Sequence, residues 1–275
     1  MTGLGIIAGG GELPGAIAEC ATEAGRPVFI AALKGIASEA ITRFQHEWVS
    51  LGETGRTLSL FRQHGCGEVL LAGKVSRPKW ADVKFDAKGF SKLPKVLAAA
   101  AKGDDALLRS LVEVLEGEGF RVVAAAEAAP ALLASSGVLG KHRPSARQKT
   151  DVELAVTVVR ALGAFDVGQA AAVCDGLVLA VEAAEGTDAM IARIMSLPEN
   201  IRGTAGVRRG VLVKARKPTQ DGRTDLPVIG VDTVKNAAEA GLAGVAVEAG
   251  GALIVDKRGV IESANRLGLF LFGFS

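Results

Sequence analysis

The chain begins with the pattern of a parallel β-sheet. An apolar run, Leu4–Ala8, suits a buried strand and is followed by three glycines, Gly9–Gly11. Pro14 then stands in the first turn of a predicted helix, where the missing backbone N–H of proline costs no hydrogen bond. A second apolar run, Pro27–Ala32, follows the helix. Because a strand, a glycine-rich turn, a helix and a strand in this order build a parallel pair, the stretch predicts an α/β fold.

Helices and strands alternate along the rest of the chain. Glu68–Ala72 predicts a third strand, and Asp104–Glu118 has apolar residues at helical spacing. In the second half, two apolar runs flank the turn pair Asp175-Gly176 and predict a hairpin. The segment Ser135–Lys149 is rich in serine, glycine, proline and cations, which is typical of an interdomain linker. We therefore predict two α/β domains, residues 1–134 and 150–275, joined by residues 135–149.

Composition limits the classes of partner. The chain of 275 residues is 49% hydrophobic but only 4% aromatic, without tyrosine, so we expect a core of alanine, valine, leucine and isoleucine. Its net charge of +2 gives no reason to expect nucleic-acid binding. Three widely spaced cysteines suit reduced thiols in the cytoplasm. Since no run reaches the roughly 18–20 apolar residues of a spanning helix, we expect a soluble protein.

Two predicted turns are candidates for anion binding. Gly9, Gly10 and Gly11 lead into a helix N-terminus, whose backbone N–H groups attract anions. The spacing is not that of the dinucleotide fingerprint, since Pro14 stands where a third small residue is needed. Gly73 follows another predicted parallel strand and precedes Arg77, so both turns are expected at the same edge of the sheet. Plain structural turns are the alternative.

The segment Val211–Gly230 concentrates charge. After a short strand it carries cations that suit a pyrophosphate, namely Lys214, Arg216, Lys217 and Arg223. Among them stand Asp221 and Asp225, carboxylates able to hold a divalent metal or take a proton from water. A surface loop whose charges pair with one another is the alternative.

The segment Glu182–Asp188 places three carboxylates before a predicted helix. Thr187 suits the N-cap of that helix, which would be a purely structural role. The functional alternative is that the N-terminus of this helix binds a phosphate. Its acidic side chains could equally assist a metal. Asp166 and Gln169 precede a neighbouring strand and are candidates for the same space.

Taken together, these stretches resemble one family, the two-domain UDP-2,3-diacylglucosamine diphosphatases of lipid A biosynthesis that are not calcineurin-like. The matching stretches cover nearly the whole chain in order: Leu4–Pro14, Ala72–Pro78, Lys102–Leu108, Asp166–Ala170, Gly176–Met190, Lys217–Gly230, Ala240–Gly250 and Gly268–Gly273. AVEAAEGTDAM and the QDxRxDLP pattern are the most specific of them.

The resemblance implies an enzyme that splits the pyrophosphate of its substrate to UMP and 2,3-diacylglucosamine 1-phosphate. It implies that water attacks the uridine-side phosphorus, that Mg²⁺ is required, and that the substrate lies between a Rossmann-like N-terminal domain and a C-terminal α/β domain. The functional aspartate of the family maps onto Asp225, which we expect to hold Mg²⁺ or orient the water.

The other site residues follow from that assignment. We expect Lys214, Lys217 and Arg223 to neutralise phosphate oxygens. We expect Gly9–Gly11, Gly73 and Arg77 on the UMP side, with Gln169, Thr187 and Asp188 around the reaction centre.

Two alternatives from other classes remain open. A nucleotide-dependent oxidoreductase would explain the first strand and turn, and a carrier of the same UDP-sugar lipid would bind without releasing UMP. We expect a cytoplasmic protein in contact with the membrane surface, because the substrate carries acyl chains.

Overall fold

The computed structural model describes residues 2–76, 80, 83–217, 222–223 and 226–275. These residues form two compact units. The first contains the described residues up to Ala131 together with Gly222 and Arg223, and the second contains the remainder from Leu132 onward. The prediction of two α/β domains is confirmed.

The first unit is built on a parallel sheet in the strand order β3-β2-β1-β4-β5. Its strands are β1 (Gly3–Ala8), β2 (Val28–Leu33), β3 (His46–Val49), β4 (Cys66–Ala72) and β5 (Arg121–Val122). The chain runs outward from β1 to β3 and then returns to place β4 on the other side of β1. In open parallel sheets, ligands bind outside the carboxyl ends of the strands at the point where the order reverses. Here that point lies between β1 and β4.

Helices surround this sheet. They are α1 (Leu13–Glu23), α2 (Thr54–Gln63), α3 (Ala87–Ala100), α4 (Asp104–Gly117) and α5 (Ala125–Ala128), with 3-10 turns at Glu39–Arg43 and Pro130–Leu132. The expectation of a purely aliphatic core is corrected here by phenylalanine. The ring of Phe61 meets Phe29 and Phe120 edge to face, with centroids 6.2 and 6.0 Å apart. Edge-to-face pairs of this kind add stabilisation beyond their buried area.

Two elements of this unit were not predicted. Strand β3 is a half-exposed edge strand with a polar sequence, so it lacks the apolar run that identified β1 and β2. Helix α3 buries only Gly89 among its residues, all of which are described. Its other inward residues are only partly buried, and Pro94 stands in its interior, where a proline usually argues against a helix.

The second unit is built on a mixed sheet in the order β6-β13-β11-β9-β7-β8. Its strands are β6 (Gly137–Val138), β7 (Ala170–Cys174), β8 (Leu177–Val181), β9 (Val211–Lys214), β11 (Gly244–Glu248) and β13 (Phe270–Phe274), and β10 (Val228–Ile229) pairs separately with β12 (Leu253–Ile254). The predicted hairpin around Asp175-Gly176 is confirmed as antiparallel β7 and β8. Strand β6 lies within residues 135–149 and pairs with β13, so this stretch contributes to the sheet of the second unit.

Helices cover both faces of the second sheet. They are α6 (Ala146–Gly163), α7 (Thr187–Met195), α8 (Val231–Glu239) and α9 (Lys257–Leu267). Alternate residues of the strands pack to opposite sides, as the two-residue period of a strand requires. Leu212 of β9 packs in the cluster that contains side chains of α7, α8 and α9. Its neighbours Val211 and Val213 pack in the cluster that contains side chains of α6.

The strand directions bring the ends of three strands to one edge of this sheet. The carboxyl ends of β8 and β9 and the amino end of β7 meet there, because β7 runs antiparallel to both. Among the helices that the structure describes, none has the length and apolarity needed to cross a bilayer.

Candidate functional site

In the first unit, the turns that follow β1 and β4 are hydrogen-bonded to each other. The N–H of Gly9 donates to the carbonyl of Ala72 at 2.8 Å. Gly10 and Lys74 exchange N–H···O bonds of 2.8 and 2.9 Å, which closes a short antiparallel bridge. The two glycine-containing turns thus form one structure at the point where the strand order reverses.

This close approach explains two of the glycines. Gly73 has φ +91°, and a Cβ there would lie 2.6 Å from the carbonyl oxygen of Gly10. A Cβ on Gly9 would lie 2.7 Å from the carbonyl oxygen of Lys74. Gly11 differs, since it has φ +87° but no atom within 4 Å of its Cβ position. Gly9 and Gly73 are required by packing, and Gly11 is required by its backbone conformation.

The structure shows which backbone N–H groups near the first turn could meet an anion. The N–H groups of Gly9 and Gly10 serve the turn itself, so they are not free donors. In the part of the chain that the structure describes, no side chain caps the N-terminus of α1, so its first-turn N–H groups are the donors that could meet an anion. Substrate binding by Gly9, Gly10, Gly11 and Gly73 stays a prediction, and Arg77 lies outside the described residues.

In the second unit, a chain of hydrogen bonds links a carboxylate to a buried ammonium through a hydroxyl. Nζ of Lys214 donates to Oγ1 of Thr187 at 2.9 Å and to the carbonyl of Val228 at 3.1 Å. The hydroxyl of Thr187 in turn donates to Oε1 of Glu182 at 2.6 Å. The other carboxylate oxygen, Oε2, accepts the N–H of Gln169 at 2.9 Å. The edge where β7, β8 and β9 meet therefore holds one connected polar network.

Burial makes this network costly to disturb. Thr187 and Lys214 each expose only 7% of their surface. An ammonium removed from water is unfavourable unless hydrogen bonds or an opposite charge compensate for the lost hydration. Lys214 therefore places a positive charge at a fixed position, held by the strand end that carries it and by the first residue of α7. Such a group is suited to binding an anion.

The predicted N-cap at Thr187 is wrong. Helix α7 begins at Thr187 itself, and its N-cap is Gly186, whose φ of +81° favours glycine. The hydroxyl of Thr187 is thus directed to Glu182 instead of a backbone N–H of its own helix.

Lys217 lies three residues beyond Lys214 and forms a separate ion pair. Its Nζ is 2.6 Å from Oδ1 of Asp166, and the residue is 9% exposed. Asp166 adopts φ +61°, in the left-handed region. The backbone turn before β7 therefore presents the Asp166 carboxylate to this lysine. Lys214 is thus anchored by Thr187 at the start of α7, and Lys217 is anchored by Asp166 in the turn before β7.

The remaining predicted residues are placed differently. Gln169 joins the network through its backbone, since its carbonyl also accepts the N–H of Ala215 at 3.0 Å. Oδ1 of Asp188 accepts a hydrogen bond from Nδ2 of Asn236 at 3.2 Å, and its side chain is exposed. Arg223 belongs to the first unit, where Nη1 is 2.8 Å from Oε1 of Glu116.

Two points concern the metal prediction. Its ligand, Asp225, lies outside the described residues. Within the described ranges, no group of three or more histidine, cysteine, aspartate or glutamate side chains is placed to hold a metal ion. Mg²⁺ commonly takes one or two carboxylates together with waters and substrate phosphates, so a binding mode of that kind does not require such a group.

Sequence reasoning missed Glu182 as a central residue. The segment from Glu182 to Asp188 was recognised as acidic, but composition cannot separate Glu182 from Glu185. In the structure, Glu185 pairs with Arg193 on the surface at 2.6 Å. A signal was available in the position of Glu182 directly after β8, since the end of a strand directs side chains toward a sheet edge.

Comparisons with known proteins cover both units. The family model described as the LpxI N-terminal domain matches residues 3–132, and the model described as the LpxI C-terminal domain matches residues 135–272. A protein from Caulobacter vibrioides named UDP-2,3-diacylglucosamine pyrophosphatase LpxI is 47% identical over 273 residues. That alignment covers 99% of this chain and 98% of the relative.

Proposed function

This chain belongs to the LpxI family, and from that premise we propose that it hydrolyses the pyrophosphate bond of UDP-2,3-diacylglucosamine in lipid A biosynthesis. The proposed products are UMP and 2,3-diacylglucosamine 1-phosphate. The main support is the 47% identity to a relative named for this substrate. The alignment extends over 99% of the chain and so includes both units.

The chemistry of the second unit supports an anionic substrate. Hydrolysis of a pyrophosphate builds charge on phosphate oxygens, and cations fixed in advance stabilise that charge without having to reorganise. Lys214 meets this requirement, because Thr187 and the carbonyl of Val228 hold its ammonium in a buried position. We assign Lys214 and Lys217 to phosphate oxygens, with Thr187, Asp188 and Gln169 around the reaction centre.

The first unit is assigned to the uridine side. Its strand order reverses between β1 and β4, which is where nucleotides bind in sheets of the Rossmann type. The joined turns of Gly10 and Gly73, followed by the N-terminus of α1, lie at that point. Arg77 and Arg223 are the cations assigned to the same substrate from this part of the chain.

Asp225 and Mg²⁺ complete the proposal. The assignment of Asp225 rests on its place in the DLP motif of the family resemblance. When bound, Mg²⁺ would neutralise pyrophosphate oxygens and favour departure of the sugar phosphate. Asp225 would hold this ion or orient the water that attacks the uridine-side phosphorus.

Hydrolysis in ¹⁸O-labelled water with Mg²⁺ tests the reaction and its attack site. Label recovered in UMP supports attack on the uridine-side phosphorus, whereas label in the acylated sugar phosphate moves the attack to the other phosphorus. Substrate binding without UMP release under any divalent metal would contradict hydrolysis and favour a carrier. Loss of turnover in EDTA, restored by Mg²⁺, is the expected result for the cofactor.

Replacement of Asp225 by alanine tests the residue assignment. We expect a folded protein that binds substrate but barely turns it over. Asp232→Ala is the matched control, because the Asp232 side chain is 85% exposed and pairs only at the surface with Lys235 at 3.2 Å among the described residues. Near wild-type turnover of Asp225→Ala would contradict the assignment.

The location of the protein is also part of the proposal. Its substrate is diacylated, so we place the chain in the cytoplasm with peripheral contact to the membrane that supplies this lipid. Cell fractionation should recover the protein partly with membranes at low salt and in the soluble fraction after a high-salt wash. Recovery only in the soluble fraction at low salt would contradict the contact.

A further inference from the structure

Helix α3 presents an apolar surface to solvent. Phe90 is 69% exposed and Leu97 is 38% exposed, and these residues are seven positions apart on one side of the helix. Pro94 lies between them and is also exposed. Exposed phenylalanine on a regular helix is unusual, and an apolar stripe with no partner commonly marks an interaction surface.

Lysines on the side of α3 away from Phe90 form ion pairs with carboxylates of α4 and of the residue that follows it. Lys88 pairs with Glu118, and Nζ of Lys95 is 2.6 Å from Oε2 of Glu113. An ordinary surface helix turns its apolar stripe to the core and its charges to water. The side of α3 that is least exposed carries Gly89, Leu93 and Val96. Contacts among the described residues leave the second apolar stripe, formed by Phe90, Pro94 and Leu97, exposed.

The charge of the segment identifies the kind of partner. From Ala87 to Lys102 the sequence contains four lysines and no acidic residue. A basic helix with an apolar face is the pattern of a segment that lies in the interface of an anionic bilayer, with its lysines near the headgroups. Two copies of this helix would bring lysines of like charge together, which disfavours self-association through the same face.

We propose that α3 docks this protein on the surface of an anionic lipid bilayer through Phe90, Pro94 and Leu97. This inference rests on the proposed function, since a diacylated substrate would be drawn from such a surface. The depth of docking is limited to the interface. Pro94 has no N–H to give to the carbonyl of Phe90, and that carbonyl needs water or headgroups as partners.

Co-sedimentation of the full chain with vesicles tests the docking without any substrate. We expect binding to phosphatidylglycerol vesicles that exceeds binding to phosphatidylcholine vesicles and weakens at high salt. The double variant Phe90→Ser/Leu97→Ser should bind at least about tenfold more weakly, from the apolar area withdrawn. Val207→Ser is the control, because Val207 is 67% exposed but lies in the second unit.

Unchanged vesicle binding of the double variant, or an equal loss in the control, would overturn the proposal. Sedimentation velocity tests whether a second copy of the chain covers the stripe instead. A wild-type dimer and a monomeric double variant, with equal vesicle binding, would assign the stripe to self-association.

Activity measurements separate this inference from the proposed function. The double variant should hydrolyse a short-chain, water-soluble substrate analogue at the wild-type rate and should be slower only on substrate embedded in vesicles. Equal rates on embedded substrate would count against the docking. Failure of the wild-type protein on both substrates would count against the proposed function, whereas the vesicle-binding result stands independently of it.

Discussion

Replacing Glu182 by alanine should destabilise the second unit more than any change in the exposed acidic residues beside it. The Glu182 carboxylate accepts the hydroxyl of Thr187 at 2.6 Å and the N–H of Gln169 at 2.9 Å. Alanine removes both acceptors. The buried Thr187 hydroxyl, which accepts a hydrogen bond from Lys214, then loses the Glu182 carboxylate to which it donates.

The magnitude follows from the two hydrogen bonds. A hydrogen bond to a charged group contributes about 1.5–3 kcal/mol, and the lower value applies to each bond because Glu182 is partly exposed, which gives about 3 kcal/mol in total. For a unit of this size, 1 kcal/mol corresponds to about 2–4 °C in Tm, so the expected decrease is about 6–12 °C.

Glu182→Gln separates charge from shape. The glutamine amide has one accepting oxygen, so it can keep the bond from Gln169 while its nitrogen donates to Thr187. The Thr187 hydroxyl must then turn away, and we expect a loss of about 1 kcal/mol.

Differential scanning calorimetry of the second unit's transition is the assay, with Glu185→Ala as the matched control. Glu185 pairs with Arg193 at the surface, and such pairs contribute about 0–1 kcal/mol. If Glu182→Ala lowered Tm no more than Glu185→Ala does, the network described around Lys214 would not stabilise this unit, and the reasoning would be refuted.

Three further predictions concern the first unit. Gly73→Ala should destabilise this unit by about 2 kcal/mol or more in thermal unfolding, because φ is +91° and the new Cβ would lie 2.6 Å from a carbonyl oxygen. Gly15→Ala in α1 is the control and should stabilise the unit by about 0.5–1 kcal/mol, because no atom lies within 4 Å of the new Cβ. Equal effects of the two substitutions would contradict the turn geometry. Burial raises the pKa of Cys66 to about 11, so only about 0.1% of this thiol is thiolate at pH 8. Because Cys20 is only partly buried, mass spectrometry after brief iodoacetamide treatment should find Cys20 alkylated before Cys66. Burial opposes ionisation of Glu68, but hydrogen bonds from two arginines outweigh burial and lower the pKa of Glu68 below 4.5. The difference in unfolding free energy between the wild type and Glu68→Gln should therefore be largest above pH 4.5 and should vanish as the pH falls through the lowered pKa. A difference in urea unfolding that does not depend on pH would contradict this linkage.

Much of the fold could be predicted from local sequence. The apolar runs at Leu4–Ala8 and Glu68–Ala72 correspond to β1 and β4, and Asp104–Glu118 corresponds to α4 within one residue. These elements were detectable because buried strands and amphipathic helices repeat apolar residues at fixed intervals. The family resemblance, confirmed by the two domain models, supplied the reaction that no periodicity contains.

The missed features are those that local sequence patterns do not specify. Helix α3 was not predicted because Pro94 in its interior argues locally against a helix. Thr187 was assigned as an N-cap because its position suits that role locally. Its hydroxyl instead meets Glu182 after β8 and the ammonium of Lys214 at the end of β9.

The sequence by itself determined that this chain forms two α/β units with a glycine turn after the first strand, because secondary structure follows from residues a few positions apart. Only the tertiary structure decided that Gly10 and Lys74 bond to each other and that Glu182 reaches Lys214 through Thr187. The physical reason is that strand order and direction, which bring distant chain segments to one sheet edge, are set by packing of the whole unit and not by any local pattern.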